Sequence, residues 1–260
     1  MIYLTGDTHG DFIRIANFCI RTETTREDTL VILGDAGINF SGGWRDMRKK
    51  EFLSALPITL LCIHGNHERR PQTIRSYKEL LWNGGVVYCE EAFPTILFAK
   101  DGEIYDLDGR QAIAIGGAYS IDKALRIPGQ SWWADEQPSA EVKARVEKKL
   151  NMLGWKVDIV LSHTVPLKYE PVEVFLPGID QSRVDKTTEE WLGRIEARLD
   201  YGAWYAGHYH TSKHIDKMHL MFEDYDELHH GRLEYRAAAF GEELHLSDEI
   251  ERDKPSGNEK

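Results

Sequence analysis

Five times along this chain a short apolar run ends in a polar tip. The runs are IYLTGD (2–7), TLVILGD (29–35), ITLLCIHGN (58–66), VDIVLSH (157–163) and AWYAGHYH (203–210). Each holds roughly five apolar or β-branched residues, which suits a strand buried on both faces. Helical spacing of apolar residues lies between and after them, in 11–22, 44–56, 73–85, 139–155 and 187–199. Within these, Ser139 is placed to cap a helix start and Gly154 to stop its end, and 73–85 also ends on a glycine stop. Helix alternating with buried strand predicts a layered α/β protein. The stretch 93–120 differs, with strand-like runs broken by Asp-Gly turns, the signal of an antiparallel meander. The expected architecture is mixed: sheets packed face to face with helices outside, one domain over 1–246, then a polar, disordered tail over 247–260.

The polar tips carry the chemistry. They hold Asp7 and His9 (GDTHG), Asp35 (GDAG), Asn66 and His67 (GNHE), His163 (SHT), and His208 and His210 (GHYH). In layered α/β folds the carboxyl ends of neighbouring strands lie side by side, so such tips gather. Asp7 with His9, and His208 with His210, are two apart, so on extended backbone each pair points one way. Carboxylate, amide oxygen and imidazole suit manganese, iron, zinc or nickel. The tips therefore match a two-metal centre, with cations about 3.5–4 Å apart and a carboxylate as the natural bridge. The glycines before Asp7, Asp35, Asn66 and His208 are expected to let the backbone turn sharply there. Cys19, Cys62 and Cys89 lie in or beside apolar runs, away from the tips, and read as reduced core residues.

Net charge sets what such a site meets. The formal charge of −11 and pI near 5.5 exclude non-specific binding to nucleic acid or anionic membranes. A phosphorylated substrate stays open, because bound cations would supply local positive charge. With no run of about 18 apolar residues and no signal-peptide pattern, the expectation is a cytoplasmic protein.

Taken in order, the tips resemble the calcineurin-like metallophosphoesterase superfamily, whose pattern runs D-x-H, G-D, G-N-H-D/E, a later His, then G-H-x-H. The matching blocks span residues 7–210. The resemblance implies a four-layer α/β sandwich, two mixed β-sheets flanked by helices, around a dinuclear centre. It implies Asp7, His9 and His210 on one divalent metal, Asn66, His163 and His208 on the other, and Asp35 as the bridge. His67 would be no ligand but the group facing the leaving oxygen. The implied reaction is phosphoester hydrolysis by a water that the two metals activate, with His67 as proton donor.

Two departures bear on substrate. Many relatives read G-D-x-x-D, where the second Asp orients the catalytic histidine; here Ile38 occupies that place and Asn39 follows. The protein phosphatase branch adds an Arg that clamps phosphate, and GDAGINF has none. Arg69 and Arg70, after GNHE, are either replacements or, more in keeping with two adjacent arginines, solvated charges. Asn39 and Arg69 are thus the candidate substrate contacts. The loop 117–135 reads as a lid or binding loop, its Trp132 and Trp133 either stacking on a ligand ring or anchoring the loop. The favoured reading is a metal-dependent phosphoesterase, phosphodiesters slightly ahead, acting on a small phosphorylated substrate or a phosphoprotein. The alternatives are a Ser/Thr-type protein phosphatase or other phosphomonoesterase acting on a phosphoprotein, and a non-catalytic metal-binding scaffold.

Overall fold

The computed structural model describes residues 1–228, 231 and 232; the tail from Ser247 lies outside the described residues. The chain opens β1 (Ile2–Thr5), α1 (Phe12–Thr22), β2 (Thr29–Ile32), α2 (Gly43–Ala55), β3 (Thr59–Cys62). A hairpin follows, β4 (Tyr77–Trp82) and β5 (Gly85–Glu90), then β6 (Ile96–Ala99), β7 (Ile104–Leu107) and β8 (Arg110–Ile115). The remainder runs α3 (Ala140–Met152), β9 (Ile159–Ser162), α4 (Thr187–Glu196), β10 (Ala203–Ala206), β11 (Lys213–Ile215), β12 (Met218–Leu220), β13 (Tyr225–Glu227) and β14 (Gly231–Arg232).

These strands form two mixed sheets. One has the order β14-β13-β1-β2-β3-β6-β5-β4, the other β11-β12-β10-β9-β8-β7. Alternate residues leave a strand on opposite faces, and three apolar layers result. Leu4, Val31 and Leu61 of the first sheet meet Ala114, Leu161 and Tyr205 of the second. Tyr3, Leu30 and Leu60 point the other way onto Ile15 and Phe18 of α1 and Leu53 of α2. Ile113, Val160 and Trp204 take Val146 and Leu150 of α3 with Trp191 and Ile195 of α4. The result is helix, sheet, sheet, helix: the expected four-layer α/β sandwich.

Helix ends follow local chemistry. Asp11 accepts the Arg14 N–H at 3.3 Å to start α1, and Ser139 Oγ accepts the Val142 N–H at 3.3 Å to start α3. Gly154, at φ 64°, closes the turn after α3. No helix among the described residues is long and apolar enough to cross a membrane, and Cys19, Cys62 and Cys89 are buried free thiols.

Two expectations are corrected. The segment 73–85 forms no α-helix; Tyr77–Trp82 is a strand paired antiparallel with Gly85–Glu90. Asn83 (φ 44°) and Gly84 (φ 83°) make its two-residue turn, the left-handed pair that an Asn-Gly hairpin uses. The meander of 93–120 is split. β6 lies parallel to β3 in the first sheet, whereas β7 and β8 pair antiparallel in the second. The crossing is pinned at Asp101, whose Oδ2 accepts from Arg70 Nη1 at 2.6 Å and whose Oδ1 accepts the Gly116 N–H at 2.7 Å. Arg70 is therefore a buried ion-pair partner and no solvated charge.

Candidate metal centre

β1, β2 and β3 run parallel, as do β8, β9 and β10, so each sheet gathers carboxyl ends at one edge. Asp7, Asp35 and His163 bring donor atoms within 4.8 Å of one another, and so do Asp7, His9 and His210. Each carboxylate has one oxygen held by the main chain. The His208 N–H donates to Asp7 Oδ1 at 2.7 Å, and the His67 N–H to Asp35 Oδ1 at 2.8 Å. The second oxygens face imidazoles: Asp7 Oδ2 lies 3.5 Å from His9 Nε2 and 3.4 Å from His210 Nε2, and Asp35 Oδ2 lies 3.7 Å from His163 Nε2. His163 Nε2 is also 2.8 Å from Asn66 Oδ1, and its Nδ1 is 2.8 Å from the Leu33 carbonyl. If Nδ1 donates to that carbonyl, Nε2 is left with a lone pair toward Asn66 and Asp35, as a metal-binding imidazole requires.

These donors fit divalent cations. Asp7 Oδ2 is buried with no hydrogen-bond donor among the described residues, a costly state for a carboxylate. His9 Nε2 and His210 Nε2 face each other at 2.8 Å beside it. His208 completes the group, its ring 4.9 Å from that of His163. Asp7 is common to both three-residue groups, Asp35 belongs to one.

The tips hold these positions under backbone strain. His9, Asp35, His208 and His210 all have positive φ, between 45° and 72°, which non-glycine residues adopt at a cost. Of the glycines expected to supply the turns, only Gly34 (φ 103°) does so. Gly65 and Gly207 are needed for space, since a Cβ would run into the Asp35 and Asp7 carboxylates respectively.

Electrostatics follow burial and mutual contact. Burial works to raise the Asp7 carboxyl, but His163, His210 and His9 hold it well below its usual range. Burial pushes His208 down, aided by His163. Burial also lowers His67, with Asp35 opposing and Arg126 assisting. Burial, with Asp35 nearby, pushes the Glu68 carboxyl of GNHE well above its usual range. Its Oε1 accepts the Gly65 N–H at 2.9 Å, so it fixes the turn that carries Asn66.

The cluster opens into a cavity of about 750 Å³ lined at one end by His9, Asp35, Asn66, His67, His208 and His210. Its lining includes the apolar side chains of Phe40, Tyr119, Ile121, Val174, Phe175 and Leu176. Asn39 and Arg69 are absent from the lining. The Asn39 amide donates to Tyr77 Oη at 2.9 Å in the interior, and Arg69 reaches the Thr73 carbonyl. Ile38 is fully buried in the layer beneath α1. The cationic lining residues are Lys49 and Arg126. Lys49 donates to the Gly37 carbonyl at 2.8 Å, and Arg126 grips Asp122 through Nε and Nη2, both at 2.6 Å. Of the two readings for Trp132 and Trp133, the anchoring one describes the structure. Trp132 donates to Glu136 at 2.7 Å and Trp133 packs edge-on against Phe40. The lining from 170–184 is one that sequence reasoning missed; its signal is a long proline-interrupted segment with no repeating pattern.

One acid of this cavity predicts a pH effect. Burial in the first turn of α4 raises Glu189 to about 7, against the hydrogen bond from Thr164 Oγ1. The folded state then binds more protons than the unfolded one between roughly pH 4.5 and 7, so this group's contribution falls as pH rises through that window. Glu189→Gln is expected to gain stability over the parent by up to about 3 kcal/mol at pH 8, and little at pH 4.5. Urea unfolding of both proteins at the two pH values checks it; an equal gap at both would sink the assignment.

The profile of the calcineurin-like phosphoesterase family matches residues 1–212. No curated protein matches the chain significantly. Among solved structures, TT1561 of Thermus thermophilus aligns over 88% of this chain and 94% of its own, at 12% identity and a TM-score of 0.51. Another crystal structure aligns over 89% and 96%, at 11% identity and a TM-score of 0.50. At such identities the likeness is one of fold.

Proposed function

The chain belongs to the calcineurin-like phosphoesterase family, and from that premise we propose that it is a metal-dependent hydrolase that takes phosphodiesters ahead of phosphomonoesters. Asp7, His9 and His210 would hold one cation and Asn66, His163 and His208 a second, with Asp35 shared. When bound, the cations supply charge neutralisation at the phosphoryl group and acidify the attacking water. The protein's own part is positioning and proton transfer. The His67 N–H bond to Asp35 sets the backbone, and the partly exposed His67 ring faces the cavity. From there the ring would pass a proton to a departing oxygen, and burial, by lowering its pKa, makes it ready to give that proton up. No carboxylate stands behind it at Ile38; the charges that reach it from the loop are Asp122 and Arg126, acting in opposite directions.

The cavity walls carry the diester reading. A monoester brings about two negative charges, and both cationic lining side chains already have partners. A diester brings one charge and a second substituent, which the apolar lining of Phe40, Tyr119, Phe175 and Leu176 would accommodate. With one metal throughout, kcat/KM for bis-nitrophenyl phosphate is expected to exceed that for nitrophenyl phosphate and for a phosphoserine peptide by about tenfold, roughly 1.4 kcal/mol of transition-state binding. A preference for the phosphopeptide that disappears in Arg126→Ala or Arg69→Ala would make the protein a phosphomonoesterase instead. Manganese, the cytoplasm and a small soluble substrate complete the reading on the chemistry of the donors and the acidic surface.

A further inference from the structure

A separate group of ligating side chains lies where the two sheets meet. His219 of β12 stands opposite Tyr205 in the β10–β12 pairing, and Asp226 of β13 stands opposite Leu4 in the β1–β13 pairing. Tyr205 and Leu4 both belong to the layer between the sheets. Directly opposed residues share a face, so His219 and Asp226 approach this layer from opposite sheets. Asp226 is fully buried, and neither of its carboxylate oxygens has a hydrogen-bond donor among the described residues. Among the described residues its ion-pair contact is His219 Nδ1 at 3.5 Å, a nitrogen that also lacks a hydrogen-bond partner there. His214 of β11 stands opposite His219 in turn, its ring 4.3 Å away and exposed. One donor atom from each of the three lies within 4.8 Å of the others. None of the three lines the catalytic cavity.

A buried carboxylate with no donor is expensive, and two imidazoles converge on it. In a tetrahedral site with bonds of about 2.0–2.1 Å, neighbouring donors stand about 3.4 Å apart, and the His219–Asp226 separation is 3.5 Å. Two imidazoles and one carboxylate are a donor set for zinc or a similar first-row divalent ion, with the fourth position open to water on the exposed His214 side. We infer that His214, His219 and Asp226 form a further divalent-metal site that clasps β12 of one sheet to β13 of the other.

The test is a zinc titration of the full chain after chelator stripping, with bound metal counted by elemental analysis and the unfolding midpoint followed in parallel. His214→Ala is the decisive variant, because His214 is exposed and contributes nothing to the core. It is expected to bind one equivalent fewer than the parent, to gain less thermal stability on zinc addition, and to hydrolyse bis-nitrophenyl phosphate with manganese within about twofold of the parent. His219→Ala should lose the same equivalent. A His214→Ala protein that binds as much zinc as its parent overturns the site. The count is a difference between proteins, so it reads independently of what the catalytic centre holds.

Discussion

Asp35→Asn is expected to lose both catalytic cations and to lower kcat/KM for every phosphoester by on the order of 10³-fold or more. The substitution keeps the shape and the Oδ1 acceptor that holds the His67 N–H. What changes is the oxygen facing His163 at 3.7 Å, whose place an amide nitrogen takes, without the charge or the lone pairs. A shared ligand weakens two sites at once, whereas Asp7→Asn should release the cation of the His9 and His210 pair and retain the other. Metal counts on the two variants, purified without chelator and again after manganese reconstitution, decide the matter. The geometry makes this a sharp comparison, because Asp7 is the carboxylate common to both three-residue groups. If Asp7→Asn empties both sites and Asp35→Asn only one, the bridge is Asp7.

His67→Ala is expected to keep both cations and lose about 10²–10⁴-fold in kcat on a diester with a poor leaving group. Its bond to Asp35 comes from the main chain, and alanine retains it. The ring reaches no closer than 3.8 Å to the Asp35 carboxylate and opens onto the cavity. The loss should fall below about tenfold for a nitrophenyl leaving group, which departs without a proton. The measurement is a leaving-group series on parent and variant with metal content determined on the same samples. A variant that loses metal would show that His67 works as a ligand, and a deficit that ignores the leaving group would show that it does not supply the leaving group's proton.

The gathering of these side chains was legible in the sequence because they sit at strand ends, where a short apolar run marks position and a polar residue marks the tip. Asp7, Asp35, Asn66 and His163 each follow such a run within a few residues. β4 was not legible. It is an edge strand whose Leu80 and Leu81 are exposed, so it shows none of the alternation that betrays a half-buried strand. The residue pair that identifies it, Asn83-Gly84, serves equally well as a helix stop when the strand before it gives no signal. The cavity walls were hidden for a different reason. Tyr119, Arg126 and Phe175 come from irregular segments, and no periodicity says which of their side chains face inward. Asn39 and Arg69 sit at the right distance along the chain from the ligands, yet Tyr77 and Thr73 claim them.

The pairing of β1 with β13 has a consequence for how the protein is made. β1 leaves the ribosome before either of its partners, and one of its two edges stays bare until Tyr225–Glu227 has been synthesised. The end of β1 is also closed late: the Gly6 N–H donates to the Phe222 carbonyl at 3.1 Å and Thr5 Oγ1 to the Asp224 carbonyl at 2.8 Å. A nascent chain that already carries every proposed ligand of the catalytic centre, through His210, therefore still lacks the strand that braces Asp7. Such long-range closure is slow, and a bare strand edge recruits other chains while it waits. Translation halted shortly after His210 should yield an aggregating fragment with no bound metal, so the proposed centre is completed only once Tyr225–Glu227 has been made.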